Sequence, residues 1–126
     1  MMDELNEISY KIIGCAYEVH AELGPGLLEK TYEVCLLHEL LKAGLEARQQ
    51  VGLPVLYKGI QLEAGYKIDL IVENKIVLEL KSIEALAPIH QAQLLTYMRL
   101  ADIKLGLLFN FNVLNLRKGG IKRMVL

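Results

Sequence analysis

Residues 66–81 read Tyr66-Lys67-Ile68-Asp69-Leu70-Ile71-Val72-Glu73-Asn74-Lys75-Ile76-Val77-Leu78-Glu79-Leu80-Lys81. Two apolar runs, Tyr66 to Val72 and Ile76 to Lys81, flank a short polar turn, the pattern of a β-hairpin. The first run carries Asp69, and the second ends on Glu79-Leu80-Lys81. An unpaired charge set among Ile, Leu and Val is strongly destabilising, so these side chains demand partners. A divalent cation held by two carboxylates beside an ammonium would meet that demand. Metal-assisted phosphodiester hydrolysis requires such a set.

The idea carries a register with it. Glu79 and Lys81 lie two apart on one strand and share a face. Asp69 opposes Glu79 if Val72 opposes Ile76, which leaves Glu73, Asn74 and Lys75 as the loop. Asn tolerates the left-handed conformation that such a loop often needs. A loop one residue shorter or longer would turn Asp69 to the other face unless a bulge intervened. Mg²⁺ or Mn²⁺ prefers hard oxygen ligands. Asp69 and Glu79 would supply carboxylates and Leu80 its backbone carbonyl. Lys81 would orient or deprotonate the attacking water, or stabilise developing charge. The bland alternative is a hairpin in which Lys81 forms an ion pair with Glu79 or Asp69 at a sheet rim.

Around the hairpin, residues 4 to 22 show helical periodicity through Leu5, Ile8, Ile12, Cys15, Ala16 and Val19, and Asp3 suits the N-cap. Leu23-Gly24-Pro25-Gly26 stops that helix, and a second runs from about Leu27 to Ala43 before Gly44. Arg48 to Tyr57 reads as a strand, with Pro54 marking an edge or an interruption. Lys58-Gly59 turns the chain into a short strand at Ile60 to Leu62. Pro88 suits the first turn of a third helix reaching about Ala101. Leu105 to Phe111 is a buried strand. Lys118-Gly119-Gly120 separates Val113 to Leu116 from a last strand at Ile121 to Val125. The expected order is α-α-β-β-β-β-α-β-β, an α/β sandwich with a mixed sheet, in one domain spanning residues 1–126.

The hydrophobic share of 53% is high for 126 residues, so some apolar surface is expected at a subunit interface, as in a homodimer. No apolar run approaches the ~20 residues of a membrane helix. No basic-then-apolar leader opens the chain, and the expectation is a cytoplasmic protein with no membrane partner. The net charge of -1 counts against a dedicated nucleic-acid binder. Lys104, Arg117, Lys118, Lys122 and Arg123 do gather basic charge late in the chain, as a contact patch or as a solvated tail. Cys15 and Cys35 lack metal-type spacing and read as reduced packing residues. His38 and His90 have no partner in zinc-ligand spacing.

Asp69 followed ten residues later by Glu79-Leu80-Lys81 resembles the active-site motif of the PD-(D/E)xK nuclease superfamily. Gly26-Leu27-Leu28-Glu29-Lys30-Thr31-Tyr32 is similar to the signature of its GxxExxY family. His90-Gln91-Ala92-Gln93-Leu94-Leu95-Thr96-Tyr97 and Gly106-Leu107-Leu108-Phe109-Asn110-Phe111 extend the likeness over nearly the whole chain. Ile68 stands where many relatives carry Pro.

The resemblance implies a restriction-endonuclease-like αβββαβ core between Leu27 and Phe111, with an extra N-terminal helix and C-terminal strands. It implies catalysis by Asp69, Glu79 and Lys81, with Glu29 as a helical acidic residue assisting the metal. Gln93 and Tyr97 resemble the Gln-x-x-x-Tyr motif of the exonuclease branch, near the site and in contact with nucleic acid. His20, just before the glycine turn, is a further candidate for substrate contact or a half-exposed helix-end residue. The implied function is a Mg²⁺- or Mn²⁺-dependent nuclease acting on nucleic acid, DNA ahead of RNA, in repair, defence or nucleic-acid processing. The alternative is a non-catalytic module that keeps the fold and binds nucleic acid or protein.

Overall fold

Ile8, Ile12, Cys15, Ala16 and Val19 form the buried face of the first helix, α1 (Met2–Leu23). Asp3 lies inside its first turn rather than capping it. The computed structural model describes residues 2–126. Helix α2 (Glu29–Lys42) follows, then strands β1 (Ala47–Gly52), β2 (Val55–Tyr57), β3 (Ile60–Leu62), β4 (Lys67–Val72) and β5 (Ile76–Lys81). Helix α3 (Pro88–Ala101), β6 (Leu105–Asn110) and β7 (Ile121–Val125) complete the chain. Five strands form one sheet in the order β1-β4-β5-β6-β7. The β5–β6 pair is parallel and the other neighbours are antiparallel. Helix α2, the strands β1, β4 and β5, then α3 and β6 supply the expected αβββαβ core.

β5 is buried at five successive positions because helices cover both faces of the sheet. Ile76, Leu78 and Leu80 join the α1–α2 side, packed with Ile12, Leu36 and Leu40. Val77 joins the α3 side with Leu94, Met98 and Leu108. Val72 pairs with Ile76, the register that sets Asp69 against Glu79, and Glu73 and Asn74 both take positive φ in the loop.

The expected strand from Arg48 to Tyr57 is two strands. It breaks at Leu53-Pro54, since Pro has no N–H for the ladder and Leu53 turns into the core. β1 then stays in the main sheet while β2 pairs only with β3. Lys58 and Gly59 join those two strands, both at positive φ, as a tight hairpin turn needs. Val113 to Leu116 is bend and turn, and Asn115 Oδ1 accepts the Arg117 N–H at 3.0 Å. Among the described residues no helix is long and apolar enough to cross a membrane.

Two glycines test this packing in opposite directions. A Cβ on Gly120 would meet the Leu116 carbonyl oxygen at 2.8 Å and that of Asn110 at 3.1 Å. A Cβ on Gly14, in the middle of α1, would meet nothing within 4 Å. Gly120→Ala should therefore destabilise by about 1–3 kcal/mol in urea unfolding, while Gly14→Ala should stabilise by about 0.5–1 kcal/mol. Equal effects of the two substitutions would contradict the packing described.

Candidate active site

Asp69 sits where both neighbouring ladders let go. On one side β1 pairs with β4 from Ala47↔Val72 to Gly52↔Lys67, but Gln50, opposite Asp69, makes no pair. Gln50 instead has φ 51°, a conformation rarely adopted by a side-chain-bearing residue. The break changes which face the strands present. Ala47 packs on the α1–α2 side and Val51 on the α3 side, although alternation would put both on one face. Leu70 and Ile68 divide in the same way. On the other side the β4–β5 ladder ends at Leu70↔Leu78.

Two side chains take over from the lost ladder. The Asp69 N–H donates to Glu79 Oε2 at 2.9 Å, and the Leu80 N–H donates to Asp69 Oδ2 at 2.9 Å. Each carboxylate thus accepts a backbone proton from the other's strand, which fixes both oxygens. A strand residue turns its N–H and C=O toward the same edge, so the Leu80 carbonyl lies on the Asp69 side.

Glu79 is 5% exposed. Burial, and then the negative charge of Asp69, push its carboxyl up from an ordinary 4.5 to about 8. Burial also raises Asp69, and the charges of Glu33 and Glu29 add to the rise. Lys81 forms an ion pair with neither carboxylate. Among the described residues the ion pairs are Lys30–Glu33 and Lys75–Glu4. The Lys81 ammonium donates instead to Gln93 Oε1 at 3.0 Å, and Gln93 Nε2 donates to the Tyr97 hydroxyl at 3.4 Å. The expected helix face of Gln93 and Tyr97 therefore does meet the end of β5. Pro88 opens α3, and the Ala87 N–H donates to His90 Nδ1 at 2.9 Å, which anchors the helix start.

Glu29 is the first residue of α2 and lies exposed, its Oε2 accepting the Ser82 N–H at 3.2 Å. Tyr32 explains why α2 starts there. Its hydroxyl donates to the Gly24 carbonyl at 2.6 Å and accepts the Leu27 N–H at 3.1 Å. Its ring stacks on Phe111 with centroids 4.6 Å apart. Gly24 and Gly26 both take positive φ in the loop so tied. His20 stands apart from the carboxylates. Its Nε2 bonds the Val113 carbonyl at 2.8 Å, and its ring borders a hollow formed with Leu114 and Arg117. Among the described residues no three His, Cys, Asp or Glu side chains close into a ready metal cluster. Asp69 and Glu79 form the inner pair, with Glu33 and Glu29 outside it.

Three residues here went unread in the sequence. Glu33 is 4% exposed and accepts from Lys30 Nζ at 2.9 Å, Gln49 Nε2 at 2.6 Å and Gln50 Nε2 at 2.7 Å. The same Gln50 amide lies 3.4 Å from Asp69 Oδ1. Glu33 follows Glu29 by four residues, hence on the same helix face, and that spacing was the available signal. Gln50 gave none. Asn110, 1% exposed, clamps the chain after Lys81: its Oδ1 accepts the Ile83 N–H at 3.1 Å, and its Nδ2 donates to the Ile83 carbonyl at 3.0 Å.

A sequence profile described as the PD-(D/E)XK nuclease superfamily matches residues 6–124. No curated protein and no solved structure matches the chain significantly. The mixed sheet, the Asp69–Glu79 pair at its open seam and the profile agree, and the chain belongs to the PD-(D/E)XK nuclease superfamily.

Proposed function

We propose that this chain is a metal-dependent nuclease of the GxxExxY family, hydrolysing phosphodiester bonds in nucleic acid, DNA ahead of RNA. Repair, defence or nucleic-acid processing would be its setting. One observation carries the reading. The buried Glu79 carboxylate and the half-buried Asp69 carboxylate adjoin, Lys81 follows two residues along the strand, and its ammonium is hydrogen-bonded to a neutral amide rather than to either carboxylate. Such a pair cannot both ionise near neutral pH without a cation. The oxygens present suit a hard divalent ion.

Asp69 and Glu79, with the Leu80 carbonyl, would hold Mg²⁺ or Mn²⁺, and Glu29 would assist from the helix start. When bound, the ion would act as a Lewis acid at a phosphate oxygen and ease ionisation of the attacking water. Lys81 has three N–H donors, and Gln93 takes one. The other two are left for a phosphate oxygen and the water. Gln93 would hold the ammonium in place, and Tyr97 would support the substrate beside it. His20, whose Nε2 bonds the Val113 carbonyl rather than this group, would contact another part of the substrate.

One observation favours the alternative of a non-catalytic binding module, namely that three ligating side chains do not close together among the described residues. Cleavage of labelled single- and double-stranded DNA and RNA with Mg²⁺ or Mn²⁺ separates the two readings. Asp69→Asn, Glu79→Gln and Lys81→Ala should each reduce the rate by about 10²–10⁴-fold. Glu29→Gln should reduce it by about 10–100-fold. Cleavage that survives Asp69→Asn undiminished would come from a contaminant. No cleavage of any substrate, with no heat of cation binding, would establish the binding module instead.

A second prediction follows from Glu79. Between its ordinary 4.5 and its folded value of about 8, the folded protein keeps a proton that the unfolded chain has released. Folding stability therefore falls as pH rises through that window, and this loss is complete above about 8. A bound cation needs the charged carboxylate, so its affinity should rise over the same window. In metal-free buffer the melting temperature should drop between about pH 5 and pH 8, and Glu79→Gln should flatten the drop. Mn²⁺ should raise the melting temperature more at about pH 8 than at about pH 5.5. A Mn²⁺ effect independent of pH would remove Glu79 from the binding group.

A further inference from the structure

Lys81 and Gln93 face a second feature that the chemistry above does not use. They line a cleft of about 680 Å³ between the β2–β3 hairpin and α3. Its walls are largely apolar, with Val55 and Leu62 from the hairpin and Ile89 and Leu100 from the helix. Two aromatic rings also line it. Tyr66, 49% exposed, leads into β4, and Tyr97 lies on α3; their centroids are 6.4 Å apart at 60°. The rings meet edge to face, so the ring presenting its edge keeps both of its faces uncovered by the other. His90 adds a polar group. Because its Nδ1 accepts the Ala87 N–H, its Nε2 carries the proton and serves as a donor on a ring lining the cleft.

Accepting the nuclease reading, we propose that this cleft takes an unstacked nucleobase, so that the substrate is a single-stranded segment whose scissile phosphate lies against Lys81. Continuity argues for this occupant, because the residues that would meet the phosphate also line the cleft. The chemistry agrees. A base offers a flat apolar face to the tyrosines and polar edges to His90, and the cleft volume lies within the range of small-molecule sites. A base stacked inside an intact duplex cannot offer its face. Tyr57 and Ile60, paired on the same hairpin face as Val55 and Leu62, continue the exposed apolar surface where neighbouring bases would follow.

Fluorescence anisotropy with the full chain in chelator tests this without cleavage. The probes are a single-stranded DNA of about 12 nucleotides, its blunt duplex, and the same strand with abasic residues. The abasic strand and the duplex should bind about 5- to 150-fold more weakly than the natural strand. Tyr66→Ala should reduce binding of the natural strand by a similar factor, and Tyr66→Phe should retain it. Ala92→Trp, at an exposed helix position lining the cleft, should block the cleft while leaving both tyrosines in the sequence. Equal affinity for natural and abasic strands, or no binding of any strand, overturns the proposal. So does a preference unchanged in both Tyr66→Ala and Ala92→Trp, or a dimer in sedimentation that these substitutions dissociate, since a second copy would then fill the cleft. The nuclease reading fails separately. A protein that binds with this preference yet cuts nothing loses only the catalytic claim, whereas one that cuts abasic strands and blunt duplex equally well loses only the cleft.

Discussion

Asp69 and Glu79 set two carboxyl groups side by side, Glu79 buried and Asp69 half-buried, and much of the surrounding structure is a response to that. The sheet cannot run through them. Its ladders open on both sides of Asp69, and the carboxylates themselves accept the N–H groups set free. Those two hydrogen bonds offset part of the burial cost, because each favours the charged form of the carboxyl that accepts it. They do not cancel it, since Glu79 still holds its proton up to about pH 8. Strain adds to the cost. Gln50 in the left-handed region costs about 1–3 kcal/mol, and the Glu33 carboxylate holds its amide there. An arrangement this unfavourable in the metal-free protein is the kind that function retains at the expense of stability.

The parts of this fold legible in the sequence are those that depend on local pattern. The hairpin register was legible as a condition, since a shared site for Asp69 and Glu79 required Val72 opposite Ile76, and Asn74 tolerates the loop conformation this leaves. Helix α3 followed from Pro88 and a three-four spacing, which also placed Gln93 and Tyr97 together. The break at Pro54 was legible as a break, but its consequence was not. Whether β2 rejoins the main sheet depends on what packs beneath Leu53, a tertiary matter. Gln50 was illegible for a related reason. No residue-level signal marks a positive φ at a glutamine, and the conformation exists only because Glu33 and Asp69 receive its amide. Asn110 read as one more residue of a buried strand. Its role came into view only when the loop at Ile83 folded over it.

The partner that Lys81 chooses decides what the site can do. Had its ammonium bonded Glu79 or Asp69, the charges would cancel in pairs, and the hairpin rim would need nothing further. Its hydrogen bond goes to Gln93, a neutral acceptor, which holds the ammonium without discharging it. The carboxylates accept backbone N–H groups, and of their other oxygens Asp69 Oδ1 meets the Gln50 amide at 3.4 Å. Positive and negative charge thus stay separate at adjoining points, one suited to a phosphate and the other to a cation. Gln93 is able to act this way because α3 crosses the end of β5, and Gly106 on β6 allows that crossing. A Cβ there would meet Met98 Sδ at 2.6 Å and Leu94 Cδ1 at 2.9 Å. The close approach of helix and sheet at a glycine is therefore part of what sets Gln93 against the lysine.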